Sequence, residues 1–185
     1  MLASACNLTQ EGINPDPATL NYPIAIAIEQ PDPTAPATHI IVANSNFDLR
    51  FNSGSVQVFD IPTLDVEIGG CGTPGEDCVI EGAAFEQLMS GEVGIGSHAE
   101  GIAFGPDHSR LYIPVRRYGD LTWIDFDPDA TSVLACGAQL RDPGSTEPDI
   151  ARCDEDHRVS RRDRVASERD LNIVGDPVAV AVIPS

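Results

Sequence analysis

The sequence predicts an all-β protein assembled from a recurring triplet of short strands, and three observations carry that prediction. An apolar, β-branched run, a second and a third, separated by turn residues, occur in that order twice and begin a third time. The chain holds 16 glycines and 15 prolines but only 5% aromatic residues, which suits short strands joined by many turns better than packed helices. Where polar and apolar residues alternate, as in Ser55-Val56-Gln57-Val58, the period is two, as in a half-buried strand.

The elements follow in chain order. Residues 7–20 are polar and carry Pro15 and Pro17, so they read as a tether between an anchoring segment (residues 1–20 in all) and a folded body at 21–185. The first triplet opens at Tyr22-Pro23-Ile24-Ala25-Ile26-Ala27-Ile28. Isoleucine alternates with alanine, so both faces are apolar. A strand buried on both faces is predicted, its alanine side allowing close approach of a neighbouring sheet. A proline-rich turn leads to His39–Asn44, and a polar loop leads to Gly54–Asp60. The second triplet runs through His98–Phe104, Arg110–Val115 and Gly119–Asp125. Pro106-Asp107 and Gly119-Asp120 supply its hairpin turns. A third triplet starts at Gly175-Asp176-Pro177-Val178.

These residues resemble the YVTN repeat of YncE-like bacterial β-propellers. That pattern has a proline or glycine before an alanine-rich strand, a Pro-Asp-type turn, a Leu-Tyr-Val-like strand, and a Val-x-Val-Ile-Asp strand. Residues 98–127 match it best, and residues 22–61 match with a longer first turn. The resemblance implies β-propeller blades at about 21–97 and 98–174 and the start of a third at 175–185. That is about two and a half blades of an incomplete ring. The first triplet lies 78 residues from the second, measured from Ala25 to Ala103, whereas most blades span about 40–50. The excess falls in 62–97 and 127–174, which read as inter-blade insertions with room for a fourth strand. Two and a half blades cannot close a ring, so missing blades or another chain are expected to complete it. A β-sandwich is the alternative these strands could build. The returning order at similar spacing favours the radial array.

Five cysteines add a constraint. Cys71 and Cys78 flank Pro74-Gly75, while Cys136 and Cys153 enclose Asp142-Pro143-Gly144. Each pair reads as a local disulfide inside one insertion, worth on the order of 2.5–3 kcal/mol, and places the protein in an oxidising compartment. Zinc competes, but the spacings are not CxxC and no paired histidines follow. The odd cysteine is Cys6. Leu2-Ala3-Ser4-Ala5-Cys6 resembles the end of a bacterial lipoprotein signal and implies lipidation at Cys6, with leucine one place farther from the cysteine than usual. An unpaired cysteine in an ordinary secretory remnant is the other reading. The charged and apolar parts of a signal peptide do not precede it, as in a truncated chain. The expected location is the bacterial cell envelope, lipid-anchored at the outer membrane or in the periplasm, or the secreted fraction.

The formal charge is −18, from 29 acidic and 11 basic residues, all of the latter arginine. Such a chain is a poor nucleic-acid partner, because phosphate binding needs clustered cations. Absent lysine fits codon bias in a GC-rich genome, and it also fits adaptation to high salt. No apolar run approaches the roughly 18–20 residues of a membrane helix, so contact with a membrane is expected only through the lipid.

No nucleophile elbow, phosphate loop or paired-histidine metal motif is present, and no catalytic residue is assigned. His98 and Glu100 precede a strand at the end where a propeller's central mouth would lie. Arg116 and Arg117 stand in the loop between the second and third strands of that triplet, suited to an anionic ligand or to pairing with Asp120. Of the other three histidines, His39 precedes a strand, His108 reads as a solvent-exposed turn residue and His157 ends an acidic cluster. The clusters Asp125–Asp129 and Asp154–His157 invite calcium, the one candidate in an otherwise cofactor-free reading, without an EF-hand-like loop. Arg158–Arg164 mixes arginine with acids and reads as a solvated segment. The resulting expectation is an exported binding or scaffold protein with a protein or small-molecule ligand. The alternatives are a propeller-type enzyme, a lactonase-like hydrolase or an oxidoreductase, or a structural surface component. Fold analogy does not choose among them.

Overall fold

Antiparallel pairing of the predicted strands produces two separate sheets in the computed structural model, which describes residues 13–72, 78–117, 119–137, 150–160 and 179–181. Cys6 and all of the third triplet except residues 179–181 lie outside the described residues. The first sheet contains β1 (Pro23–Glu29), β2 (His39–Asn44), β3 (Gly54–Asp60) and β4 (Met89–Ile95), hydrogen-bonded in sequence order. The second contains β5 (Ala103–Phe104), β6 (Arg110–Val115), β7 (Asp120–Phe126) and β8 (Leu134–Ala135), with β9 (Arg158–Ser160) also on β7. Each is therefore an up-and-down meander. Among the described residues the protein is mostly β, with α1 (Ile61–Gly70), α2 (Ala83–Leu88) and one 3-10 turn at Glu155–His157.

The strand missing from each triplet lies in the segments read as insertions. In the first, Asp60 caps α1 by accepting a hydrogen bond from Thr63 N (2.8 Å), with Pro62 in the opening turn, a residue order suited to a helix start. After α2 the chain returns as β4 alongside β3. In the second, the fourth strand is interrupted. β8 pairs with Asp125–Phe126 and β9 with Asp120–Thr122. The Cys136–Cys153 disulfide ties the residue after β8 to the segment before β9, so it clasps the two halves of one broken strand. The Cys71–Cys78 disulfide joins the end of α1 to the segment that enters α2.

Cross-strand register explains the packing. Ile41 faces Val58, Ala43 faces Val56, and Val56 faces Val93, which puts these side chains on one side of the first sheet. Ile41, Val56, Val58 and Val93 form a single core with Ala99, Leu111, Ile113, Val115, Ile124 and Phe126 of the second sheet's side. Burying a side chain of this size stabilises by about 1.5–3 kcal/mol. Contacts run between β1 and β5 and between β4 and β8, so the sheets stack with first strand beside first and last beside last.

The expectation of burial on both faces fails for β1. Ala27 packs against the core, but Ile24, Ile26 and Ile28 are 39, 65 and 54% exposed. The strand is at the sheet's edge, and only its alanine side meets a described neighbour. On the same outer side, Ile40, Val42, Phe59, Leu64, Phe85 and Leu88 line an apolar cleft of about 400 Å³, with Leu20 at its wall. Residues 13–20, within the segment read as tether, also lie on this side together with Asn21, held by hydrogen bonds from Asn52 N to Ile13 O (3.0 Å) and from Gln57 Nε2 to Pro17 O (3.2 Å).

Candidate functional site

Three connections meet at one end of the stacked sheets: residues 45–53 after β2, residues 96–102 before β5, and the turn after Val115. Backbone hydrogen bonds align them. His98 N donates to Ser45 O (2.7 Å), Arg116 N donates to His98 O (3.0 Å), and Glu100 N donates to Pro114 O (3.1 Å). Gly119, at φ +61, closes the tight β6–β7 turn, a conformation glycine adopts without a Cβ penalty.

Buried polar side chains lock the arrangement. Asn46 Nδ2 donates to Ser97 Oγ (2.9 Å) and to Phe51 O (2.7 Å), and Phe51 N donates back to Asn46 Oδ1 (3.0 Å). Asn46 and Ser97 are each about 1% exposed, so their mutual bond removes what would otherwise be a desolvation cost. Above them, Arg117 Nη1 reaches Ser97 Oγ at 3.5 Å, and Arg116 Nη1 pairs with Glu100 Oε1 at 3.0 Å. The Phe47 ring meets the His98 ring edge-on at 5.6 Å. His98, Glu100, Arg116 and Arg117 are therefore brought together.

The backbone here is unusual. Tyr22, Asn46, Leu49 and His98 all have positive φ, between 50° and 61°, which costs a bulky residue free energy and persists only where surrounding structure enforces it. Phe47 and Leu49 on the first loop are 64 and 52% exposed, and Tyr22, just before β1, is 44% exposed. Tyr22 OH donates to Asp48 Oδ2 (2.8 Å), and that bond pushes the phenol above its ordinary range. Sequence reading missed Asn46, Ser97, Phe47 and Tyr22. Only the first pair had a signal, as short polar residues flanking strand ends.

The remaining candidates take other places. His108 is half-buried in its turn and stacks on Phe104, ring centroids 4.9 Å apart, so its expected exposure is corrected by that apolar contact. His39 is buried against Phe126. Asp125 accepts from Arg110 Nε (2.9 Å), Asp127 Oδ1 accepts from Asp129 N (3.0 Å), and Asp154 caps the turn at Glu155–His157. Among the described residues no group of three or more His, Cys, Asp or Glu could hold a metal. Arg161, Arg162 and Arg164 lie outside the described residues.

Both expected disulfides, Cys71–Cys78 and Cys136–Cys153, are present and point to an oxidising, extracytoplasmic setting. Among the described residues no helix is long and apolar enough to cross a membrane. No family model matches the chain, and no curated protein matches it.

Proposed function

We propose that this chain is an exported binding protein built from β-propeller blades, and that the loop cluster around Ser97 is its recognition surface. The observation that carries this reading is the convergence of Arg116, Arg117, His98 and Glu100 with exposed Phe47, Leu49 and Tyr22, where Tyr22, Leu49 and His98 hold positive φ. Arginine and aromatic anchors on a fixed scaffold are what binding surfaces concentrate. Two guanidinium groups beside an apolar shelf suit a ligand carrying a carboxylate or sulfate next to a flat or aliphatic body.

The propeller reading is supported by two sheets of like build stacked first strand on first strand, with the last strand of one leading into the first strand of the next. Each would be one blade, and the uncovered isoleucine side of β1 is where a further blade would pack. A lipid at Cys6 would hold the protein at the cell envelope.

The test is a thermal-shift screen with aromatic and aliphatic carboxylates and sulfates, repeated on Arg117→Ala and Phe47→Ala. A ligand that raises the melting temperature of the native chain and not of either variant is the expected result. Shifts unaffected by both substitutions would remove the recognition role from these loops. Turnover of a γ-lactone that depends on added calcium would replace the binding role with the enzymatic one.

A further inference from the structure

We propose that residues 13–21 form a proton-controlled strap over the outer side of the first sheet, which loosens when Glu92 beneath it ionises against Asp16. The strap is a folded unit. Asp16 Oδ1 accepts from Ala18 N (2.9 Å), and Asn21 Nδ2 donates to Asp16 O (3.0 Å). It is fastened at both ends: Asn52 Nδ2 and Arg152 Nη2 each donate to Asn14 Oδ1 (2.8 Å), and Ser45 N donates to Tyr22 O (2.9 Å).

Between those ends the strap covers polar groups rather than apolar ones. Gln57 Nε2 donates to Pro17 O (3.2 Å) and Thr19 O (3.4 Å), and Gln57 Oε1 accepts from Asn44 Nδ2 (3.0 Å), which also donates to Ser55 Oγ. Asn44, Ser55 and Gln57 are fully buried. Glu92 stands opposite Gln57 on β4. Its Oε1 is sealed from water and accepts no hydrogen bond, as is true of Asn44 Oδ1.

Glu92 is half-buried, and with one oxygen sealed off an ionised carboxylate there is costly, because a charge without enough donors loses hydration uncompensated. Among the described residues the charged groups on the packed elements are Asp16 from the strap and Arg152 from the segment paired with Gly94, whose guanidinium donates to Asn14. Ser55, Gln57 and Asn44, from β3 and β2, are neutral. Burial is the main cause that raises the Glu92 carboxyl to about 7; Asp16 adds to it, while Ser55 and Gln57 oppose it.

With the strap lifted, the carboxyl regains water and its ordinary value of 4.5. The closed form thus holds a proton that the open form gives up between about pH 4.5 and 7, and rising pH through that window favours opening. Since each pH unit carries at most a tenfold change, the opening equilibrium should grow roughly 10- to 100-fold. Leu20 forms part of the wall of the apolar cleft, so release of the strap also widens that cleft.

Amide hydrogen exchange on the full chain at pH 5 and pH 8, corrected for intrinsic rates, tests this. Protection of residues 13–21 should fall by 10- to 100-fold at the higher pH while β6 keeps its protection. Glu92→Gln should flatten the pH dependence, and Asp16→Asn should move its midpoint lower. An unchanged pH profile in Glu92→Gln, no profile in the native chain, or loss of protection in β6 in step with the strap would each overturn it. If Glu92→Gln does not fold, an Asp16→Asn midpoint equal to that of the native chain would do so.

Discussion

Arg116 Nη1 lies 3.0 Å from Glu100 Oε1 and so joins the β6–β7 turn to the connection that enters β5. Both side chains keep contact with solvent, at 41 and 24% exposure, so the pair holds a loop in place without contributing much to folding. Arg116→Ala should cost under about 1 kcal/mol, and the cost should shrink in 1 M salt. Thermal denaturation at two ionic strengths measures both.

The two disulfides should differ in weight. Cys136–Cys153 clasps the broken outer strand of the second sheet and has Cys153 fully buried in the core. Replacing both of its cysteines with serine should cost about 2–4 kcal/mol and release β9 from β7. The same change at Cys71 and Cys78 should leave the stacked sheets intact, because that bridge spans only α1 and the approach to α2. Urea titration without reductant compares the two.

Gly54 is pressed against its neighbours. A Cβ there would stand 2.5 Å from Asn44 O and 3.0 Å from Gly96 O, and both obstacles are backbone. Gly54→Ala should therefore destabilise by roughly 1–3 kcal/mol and disturb the loop that presents Phe47. A denaturation midpoint equal to that of the native chain would contradict the packing.

Glu92 also sets a global pH dependence. Its folded value of about 7 lies above the ordinary 4.5, so the folded state holds a proton that the unfolded chain releases. Stability from this group is fully present below about pH 4.5 and is lost as pH rises to about 7, a loss of up to about 3 kcal/mol. Glu92→Gln should be more stable than the native chain at pH 8 and similar to it at pH 4.5. Urea midpoints across pH 4–8 read this directly.

Two isoleucines in neighbouring strands should respond oppositely to truncation. Ile41 is fully buried in the core, whereas Ile26 is 65% exposed. Ile41→Ala should cost about 2–5 kcal/mol, while Ile26→Ala should cost under about 1 kcal/mol and improve solubility. Equal costs would mean that the outer side of β1 is covered in solution.

Strands with alternating or β-branched residues were legible in the sequence: β1, β2, β3, β6 and β7 all lie where the repeated triplets put them. The fourth strands were not. Met89-Ser90-Gly91-Glu92-Val93-Gly94-Ile95 contains two glycines and little alternation, and β8 and β9 are short pieces separated in sequence. Their pairing depends on what β3 and β7 offer at their free edges, a tertiary effect that propensity does not contain. The helix that Asp60 caps opens the segment 62–97, which reads in the sequence only as an insertion between blades. For the candidate site, His98, Glu100, Arg116 and Arg117 were legible because they flank predicted strands. Asn46 and the exposed Phe47 beside it are placed by positive-φ backbone at Asn46, which nothing in the residue order announces.

The clasp between Cys136 and Cys153 changes what a protease can accomplish. A cut anywhere between Gly137 and Ile150 would interrupt the main chain yet leave both products linked through sulfur. The nicked protein would migrate as one species until reductant parted it, and its core would stay assembled. A protein clasped in this way can be cut between the two cysteines and still remain whole.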